Sequence, residues 1–278
     1  MSEMCTPQQP VVQSPSGAHR DWNPGQYEQF ADERTRPFID LLALVEPAPF
    51  PRAVDLGCGT GALTMLAANQ LAVGQMVGID NSAAMLRKAA LVAQPNVAFV
   101  DGDIGLWTST GDHDLIIANA SLQWVPDHPT VIRRWTEALR QGGQLAIQVP
   151  SNAAMPSHRV AVRVAEREPY LSAFHGAPPA DPVAANVLAP EQYAQLLYDL
   201  GFVRQHVRLQ VYPHVLPSSR HVVEWVRGTT LTRFQKVLEP SLFERFLADY
   251  ERELLAEIGE HQPFFFGFRR VLLWGRQA

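Results

Sequence analysis

From position 53 onward, short apolar runs alternate with stretches whose apolar residues recur at helical spacing. Ala53–Leu56 reads as a buried strand, and the pattern from Ala62 to Leu71 as the helix after it. Met76–Ile79 is a second strand ending at Asp80, followed by a helix over Ala83–Ala93. Val97–Val100 and Leu115–Ala118 are the third and fourth strands; a helix covers Thr130–Arg140. After Gly142-Gly143 comes the strand Gln144–Val149. Upstream, Asp21 to Val45 is helical, opened by Asp21-Trp22-Asn23-Pro24 and interrupted near Pro37. Strands alternating with helices predict an α/β fold with a doubly wound, mostly parallel sheet.

Beyond Pro150 the rhythm changes. Pro156–Arg167 is helical, and Pro169–Pro190 reads as a loop carrying Pro178-Pro179 and Pro182. Glu191–Leu200 is a helix closed by Gly201, and Phe202–Tyr212 alternates as a strand. Helices at Ser219–Arg227 and Ser241–Ile258 precede a last strand, Phe264–Trp274, whose Phe264, Phe265, Phe266 and Phe268 read as core. The last two strands are expected side by side and antiparallel at one edge, making seven in all. Segments 153–190 and 213–262 then become insertions folding over the strands' carboxyl ends, where open α/β sheets bind ligands. Residues 21–278 are expected to form a single domain with these insertions as a substrate cap.

Composition narrows the classes. Of 278 residues 46% are hydrophobic, ample for a packed core, and no apolar run reaches membrane-spanning length. Residues 1–20, rich in Pro, Gln and Ser, read as a disordered tail, neither signal peptide nor anchor. Cys5 and Cys58 make neither a disulfide framework nor a metal site. An intracellular, cytoplasmic protein is expected. The net charge of −5, without a basic run, argues against nucleic-acid binding. Residues 1–150 carry 9 Lys/Arg against 15 Asp/Glu, and residues 151–278 carry 14 against 13 with six of the nine histidines. A second half bearing Arg and His suits a small anion, because guanidinium matches carboxylate geometry.

The chemistry gathers at Val54-Asp55-Leu56-Gly57-Cys58-Gly59-Thr60-Gly61. Glycines at a strand-to-helix turn let backbone approach a ligand. Gly57-x-Gly59-x-x-Ala62 formally fits a dinucleotide site. Asp55, two residues before Gly57, repels a pyrophosphate and attracts the ammonium of an amino-acid-bearing cofactor. Asp80, at the end of the second strand, can accept both hydroxyls of a ribose under either reading. Ser82 caps the next helix, and Met85 sits one turn in. After the third strand, Asp103 can accept from an adenine amino group while the Ile104 N–H addresses the ring; Asp101 competes for that role.

The D-x-G-x-G-x-G form resembles motif I of the class I S-adenosylmethionine-dependent methyltransferases. The wider set is similar to the trans-aconitate 2-methyltransferases: Asp21-Trp22-Asn23-Pro24 with Tyr27, Glu33–Pro37, Asp55–Gly61, Gly78-Ile79-Asp80, Asn119–Trp124 with Pro126-Asp127-His128, Pro217-Ser218 with Trp225-Val226, and Phe268-Arg269-Arg270. The resemblance runs from about Asp21 to Trp274. It implies a seven-stranded, Rossmann-like methyltransferase fold, S-adenosyl-L-methionine as cofactor and methyl-ester formation on a small polycarboxylate. Trp22, Tyr27, Arg36, Asp55, Gly57, Gly59, Gly61, Asp80, Asn81, Met85, Asp103, Ile104 and Asn119 are the cofactor candidates. Trp22 and Tyr27 would close over the methionine end and Arg36 pair with its carboxylate; a helix-opening staple and plain packing compete for the two aromatics.

A carboxylate is already ionised at neutral pH, so no general acid or base is nominated. The acid needs cations and a walled pocket, for which the candidates are Gln123, Trp124, His158, Arg233 and Arg270. Arg270, inside an apolar strand, is either an ion-pair partner or a ligand clamp. His128 reads as a helix-opening residue. No metal, membrane or obligatory protein partner is expected. Methylation of another small acid or of an acyl-carrier-bound group, nicotinamide-dependent reduction and non-catalytic cofactor binding are the competing readings.

Overall fold

The computed structural model describes residues 31–278. Its strands are β1 (Arg52–Leu56), β2 (Gln75–Asp80), β3 (Val97–Asp101), β4 (His113–Asn119), β5 (Leu139–Pro150), β6 (Phe202–Leu216) and β7 (Phe264–Gln277). They form one sheet in the order β3-β2-β1-β4-β5-β7-β6. β1 to β5 are mutually parallel, while β7 runs antiparallel between β5 and β6. The expected antiparallel edge is therefore present, with β6 outermost.

Among the described helices, α1 (Ala31–Leu42) and α2 (Ala62–Gln70) cover one face of the sheet. Phe38, Leu41 and Leu42 of α1 join Met65, Leu115, Ile117, Leu272 and Trp274 there. On the other face lie Val131, Ile132 and Trp135 of α4 (His128–Glu137) and Tyr193 and Leu197 of α8 (Pro190–Asp199). Because both faces are covered, the central strand reads Asp114 to Ala118 without one exposed position. The shorter α3 (Ala83–Ala89) follows β2 and is capped by Ser82, whose hydroxyl accepts from the Met85 amide.

A third core is mostly helical, joined by Leu216 of β6 and Phe266 of β7. It is built by α5 (Pro156–Ala165), α6 (Tyr170–Ala173), α9 (His221–Arg227), α10 (Thr232–Gln235) and α11 (Pro240–Ile258), and its bulk is Tyr170, Phe174, Phe234, Phe246 and Tyr250. These elements belong to the two segments expected as insertions. With α7 (Pro182–Asn186) they rise beyond the carboxyl ends of β4 and β5.

Several expectations are corrected. Pro37 does not interrupt α1, which runs through it. A proline inside a helix costs about 3 kcal/mol through the missing hydrogen bond and the clash of its ring with the preceding turn. Burying Phe38, Leu41 and Leu42 returns roughly 1.5–3 kcal/mol each. The stretch from Pro169 to Pro190 is no plain loop, since it holds α6 and α7, the latter capped by Asp181 and opened by Pro182. β6 extends to Leu216 through Pro213, tolerated because an edge strand need not donate there. Phe265 is not core: it is 64% exposed opposite Val215, where β6 and β7 run past the end of β5. Only the alternate positions, led by Phe266, face inward.

One side-chain amide makes three of the bonds that hold the chain before β1 and the last strand to β5. Gln144 on β5 accepts from the Glu46 amide and donates to the Glu46 carbonyl, both at 2.9 Å, and also accepts from the Trp274 indole at 2.8 Å. Gln144→Leu leaves three partners unsatisfied and is expected to cost about 2–4 kcal/mol. Urea denaturation checks this; a cost below about 1 kcal/mol rules out the clamp.

Candidate active site

The turn between β1 and α2 contains three glycines with left-handed φ angles, +88° at Gly57, +56° at Gly59 and +78° at Gly61. A Cβ on Gly57 would stand 2.2 Å from the Ser121 Cβ. The loop after β4 thus presses directly on the turn, and the Ser121 hydroxyl donates to the Leu56 carbonyl at 2.6 Å. A Cβ on Gly59, by contrast, would meet nothing within 4 Å. The turn faces open space at that point, where a ligand can lie against backbone.

Its amides are turned inward. Gly57 and Cys58 donate to the Ile79 carbonyl at 2.7 and 3.0 Å, and Gly61 to the Cys58 carbonyl at 3.0 Å. Gly59 donates to Asp80 Oδ2 at 2.9 Å. A pyrophosphate needs such N–H groups directed at itself; these are already engaged, and carboxylates flank them. Asp55 is buried beneath the turn and accepts the Thr64 hydroxyl at 2.6 Å. Burial pushes its carboxyl up to about 6, opposed by the Thr64 hydrogen bond and reinforced by the charge of Asp80. Asp80 is raised as well, first by burial, although the Ser82 and Gly59 amides hold its two oxygens. Two strained carboxylates beside open space favour a cation.

Around them, Met85 is buried, and Asn81 is exposed at the tip of the β2–α3 turn. Asp103 is exposed and accepts the Gly105 amide at 2.8 Å. Ile104 is half-buried, its carbonyl taking the Trp135 indole N–H at 3.0 Å. Asp101 lies in register with Asp80 on the neighbouring strand. Arg36 is exposed on α1, while Trp22 and Tyr27 lie outside the described residues.

Next to the turn, a cavity of about 160 Å³ opens between the ends of β4 and β5 and the helices above. Gln123, Trp124, His158, Arg233 and Arg270 all line it, so the five residues expected to hold the acid converge from four parts of the chain. Asn119 and Ala120 line it too and join it to the glycine turn through Ser121. Ala120 has a φ of +52°, strained for a residue with a side chain. Buried polar atoms without a hydrogen-bond partner among the described residues gather here: Asn119 Oδ1, Gln123 Oε1, Gln148 Nε2, Asn152 Oδ1, and Nε and Nη2 of Arg233. Such atoms are rare in folded proteins. Their convergence marks the seat of a polar ligand.

Arg270 Nη1 donates to Gln148 Oε1 at 3.0 Å, and its guanidinium stands 5.0 Å from the Phe268 ring centre. Its hydrogen-bond partner on β5 is thus the neutral amide of Gln148. His158 reaches Ser157 Oγ at 3.2 Å and Thr230 Oγ1 at 2.9 Å. Burial pushes its imidazole down to about 4, so it is neutral near pH 7. Asn152, Asp181 and Thr230 also line the cavity and were not singled out from the sequence; Trp225, noted there only as part of a family motif, lines it too. His128, as expected, is structural: it is buried, with Tyr193 Oη at 2.6 Å and the Leu122 carbonyl at 3.0 Å. No cluster able to hold a metal ion occurs among the described residues.

The profile of a methyltransferase domain matches residues 51–176. The trans-aconitate 2-methyltransferase of Deinococcus radiodurans is 43% identical over 258 residues, covering 90% of this chain and 96% of that one. That of Mycobacterium sp. strain KMS is 38% identical over 261 residues, covering 92% and 99%. Among solved structures, phosphoethanolamine N-methyltransferase 2 of Haemonchus contortus in complex with S-adenosyl-L-methionine has a TM-score of 0.53 at 14% identity. It covers 87% of this chain and 52% of that one. The fold is that of the class I methyltransferases, as the resemblance implied.

Asp55→Asn removes a charge that burial disfavours. The unliganded variant is expected to exceed the parent in stability at pH 7.5 by about 1–3 kcal/mol, the upper figure being the rise from 3.8 to about 6. The gap should close as pH falls from about 6 toward 4, because the parent's carboxyl then takes up its proton in the folded state. Equal stability at pH 7.5 counts against the burial argument.

Proposed function

The chain belongs to the trans-aconitate 2-methyltransferase family, and from that premise we propose that it esterifies one carboxylate of trans-aconitate with the methyl group of S-adenosylmethionine. The observation that carries this reading is the pairing of two compartments of opposite character. The glycine turn offers carboxylates, with the amides of Gly57, Cys58, Gly59 and Gly61 already engaged, which suits a cation. The adjoining cavity offers Arg233, Arg270 and unsatisfied amides, which suit an anion.

Asp55 and Asp80 hold the positively charged nucleoside, Asp80 addressing the ribose hydroxyls. Asn119 Oδ1, buried and open to a donor, stands where the cofactor meets the acid. S-adenosylmethionine supplies a sulfonium methyl that a carboxylate oxygen takes by in-line displacement. The nucleophile arrives ionised, so the protein need not remove a proton. His158, neutral and with a neighbour at each ring nitrogen, fits a wall and not a base. Orientation is then the main catalytic contribution, for which effective molarities of roughly 10⁵–10⁸ M are possible. The segments 153–190 and 213–262 act as the cap that excludes water and strips the carboxylate. The substrate is a free small acid, no protein partner is required, and the reaction takes place in the cytoplasm. In support, no helix among the described residues is long and apolar enough to cross a membrane.

Purified protein with labelled S-adenosylmethionine is expected to esterify trans-aconitate at least tenfold faster than citrate or succinate, with the product read by mass. No labelled ester removes the assignment. Arg270→Met should raise KM for the acid at least tenfold, about 1.4 kcal/mol. S-adenosylhomocysteine affinity should stay within twofold. Equal loss of both affinities indicates a folding defect instead.

A further inference from the structure

Arg233 reaches the cavity from α10, and Asp181 from the residue that caps α7. Their side chains are nearly enclosed, 12% and 6% exposed, and Arg233 Nη1 stands 3.0 Å from Asp181 Oδ2. Asp181 Oδ1 accepts the Val183 amide at 2.9 Å, so this carboxylate is held through both oxygens. The guanidinium also lies over the Phe234 ring, its Cζ 4.6 Å from the centre. Position and tilt of the guanidinium are thereby fixed. What remains is its side edge, Nε with Nη2, buried and without a hydrogen-bond partner among the described residues. That edge presents two parallel N–H groups at the spacing of a carboxylate's oxygens.

Resting on the methyl-transfer reading, we propose that the Nε–Nη2 edge of Arg233 is a subsite for a non-reacting carboxylate of the substrate, and that Asp181 is the positioning residue that keeps this edge turned into the cavity. A carboxylate gripped through both oxygens has its negative charge drawn toward two donors and is a poorer nucleophile than one left ungripped. The edge therefore suits a group that is held and not the one that reacts. Asp181 also offsets the arginine's charge while the subsite is vacant, so the cavity can keep a buried guanidinium folded without substrate. Selectivity follows from the same geometry. An acid lacking this carboxylate leaves two buried donors unpaired, and sites built to hydrogen-bond a group reject analogues without it.

The test uses full-length protein saturated with S-adenosylhomocysteine and titrated calorimetrically with trans-aconitate. Mesaconate, cis-glutaconate and itaconate, which each lack one of its three carboxylates, are titrated alongside. Arg233→Met should weaken trans-aconitate and two of the dicarboxylates at least tenfold. The dicarboxylate that lacks the gripped group should change less than threefold. Arg233→Lys, which keeps the charge and loses the fork, should follow the same pattern, and it is read instead where the Met variant fails to bind S-adenosylhomocysteine. Asp181→Asn should blunt the preference for the tricarboxylate about threefold even though the cavity becomes more positive.

Uniform weakening of all four acids in the Arg233 variants, no weakening at all, or no binding of any acid to the parent overturns the subsite. Tighter binding of every acid by Asp181→Asn overturns the positioning role. A parallel turnover assay separates the two levels. A parent that shows the binding pattern but makes no trans-aconitate ester retains the subsite and loses the methylation reading.

Discussion

The turn after β1 is satisfied from within, and the rest of the site follows from that. Four of its amides are tied to the Ile79 and Cys58 carbonyls and to Asp80, so the backbone is rigid but offers those groups to no anion. What faces outward is the space before Gly59, with Asp80 half-buried beside it and Asp55 buried beneath the turn. A strand-to-helix turn with free amides would attract phosphate. This one, with the same glycines, has reversed its electrostatic character. The cost is carried by Asp55, whose ionised form is disfavoured by burial until a positive ligand arrives.

Rigidity in the second compartment comes from a different source. The wall facing the cofactor side is not a set of loops over the sheet but a helical layer with its own aromatic core, in which Tyr170, Phe234 and Phe246 pack edge to face or tilted. Arg233 precedes one of these core residues, and His158 sits on α5 between Ser157 and Thr230. Side chains mounted on packed helices keep their geometry better than side chains on free loops. A reaction that relies on orientation needs that support.

The strand–helix alternation and the glycine turn were legible because periodicity and glycine spacing are local signals. Gln123, Trp124, His158, Arg233 and Arg270 were named for the cations and walls that a small acid needs, and the cavity brings all five to its lining. Asp181 escaped because it lies in a proline-rich stretch that reads as loop; its role depends on Arg233, more than fifty residues away in the chain. Asn152 escaped for a similar reason, as a lone amide after a strand that only tertiary packing buries. Pro37 and Phe265 mark the reverse failure. A local rule set against helix continuation yielded to three buried neighbours, and an apolar residue read as core sits where the sheet has narrowed to two strands.

Charge is divided along the chain in the way the chemistry requires. The acidic first half forms the glycine turn and its carboxylates, and the arginine-bearing second half supplies Arg233 and Arg270. Under the proposed reaction each wall attracts the reactant of opposite sign; Asn119 and Ala120 line the cavity on the side of the glycine turn. Methyl transfer removes one unit of charge from each: a sulfonium becomes a neutral thioether, and a carboxylate becomes a neutral ester. Both walls therefore hold the products less tightly than the reactants, through the same side chains that assembled them. A uniformly apolar cavity would bind the ester better than the acid and slow its release. Opposed walls of fixed sign avoid that outcome without a moving part.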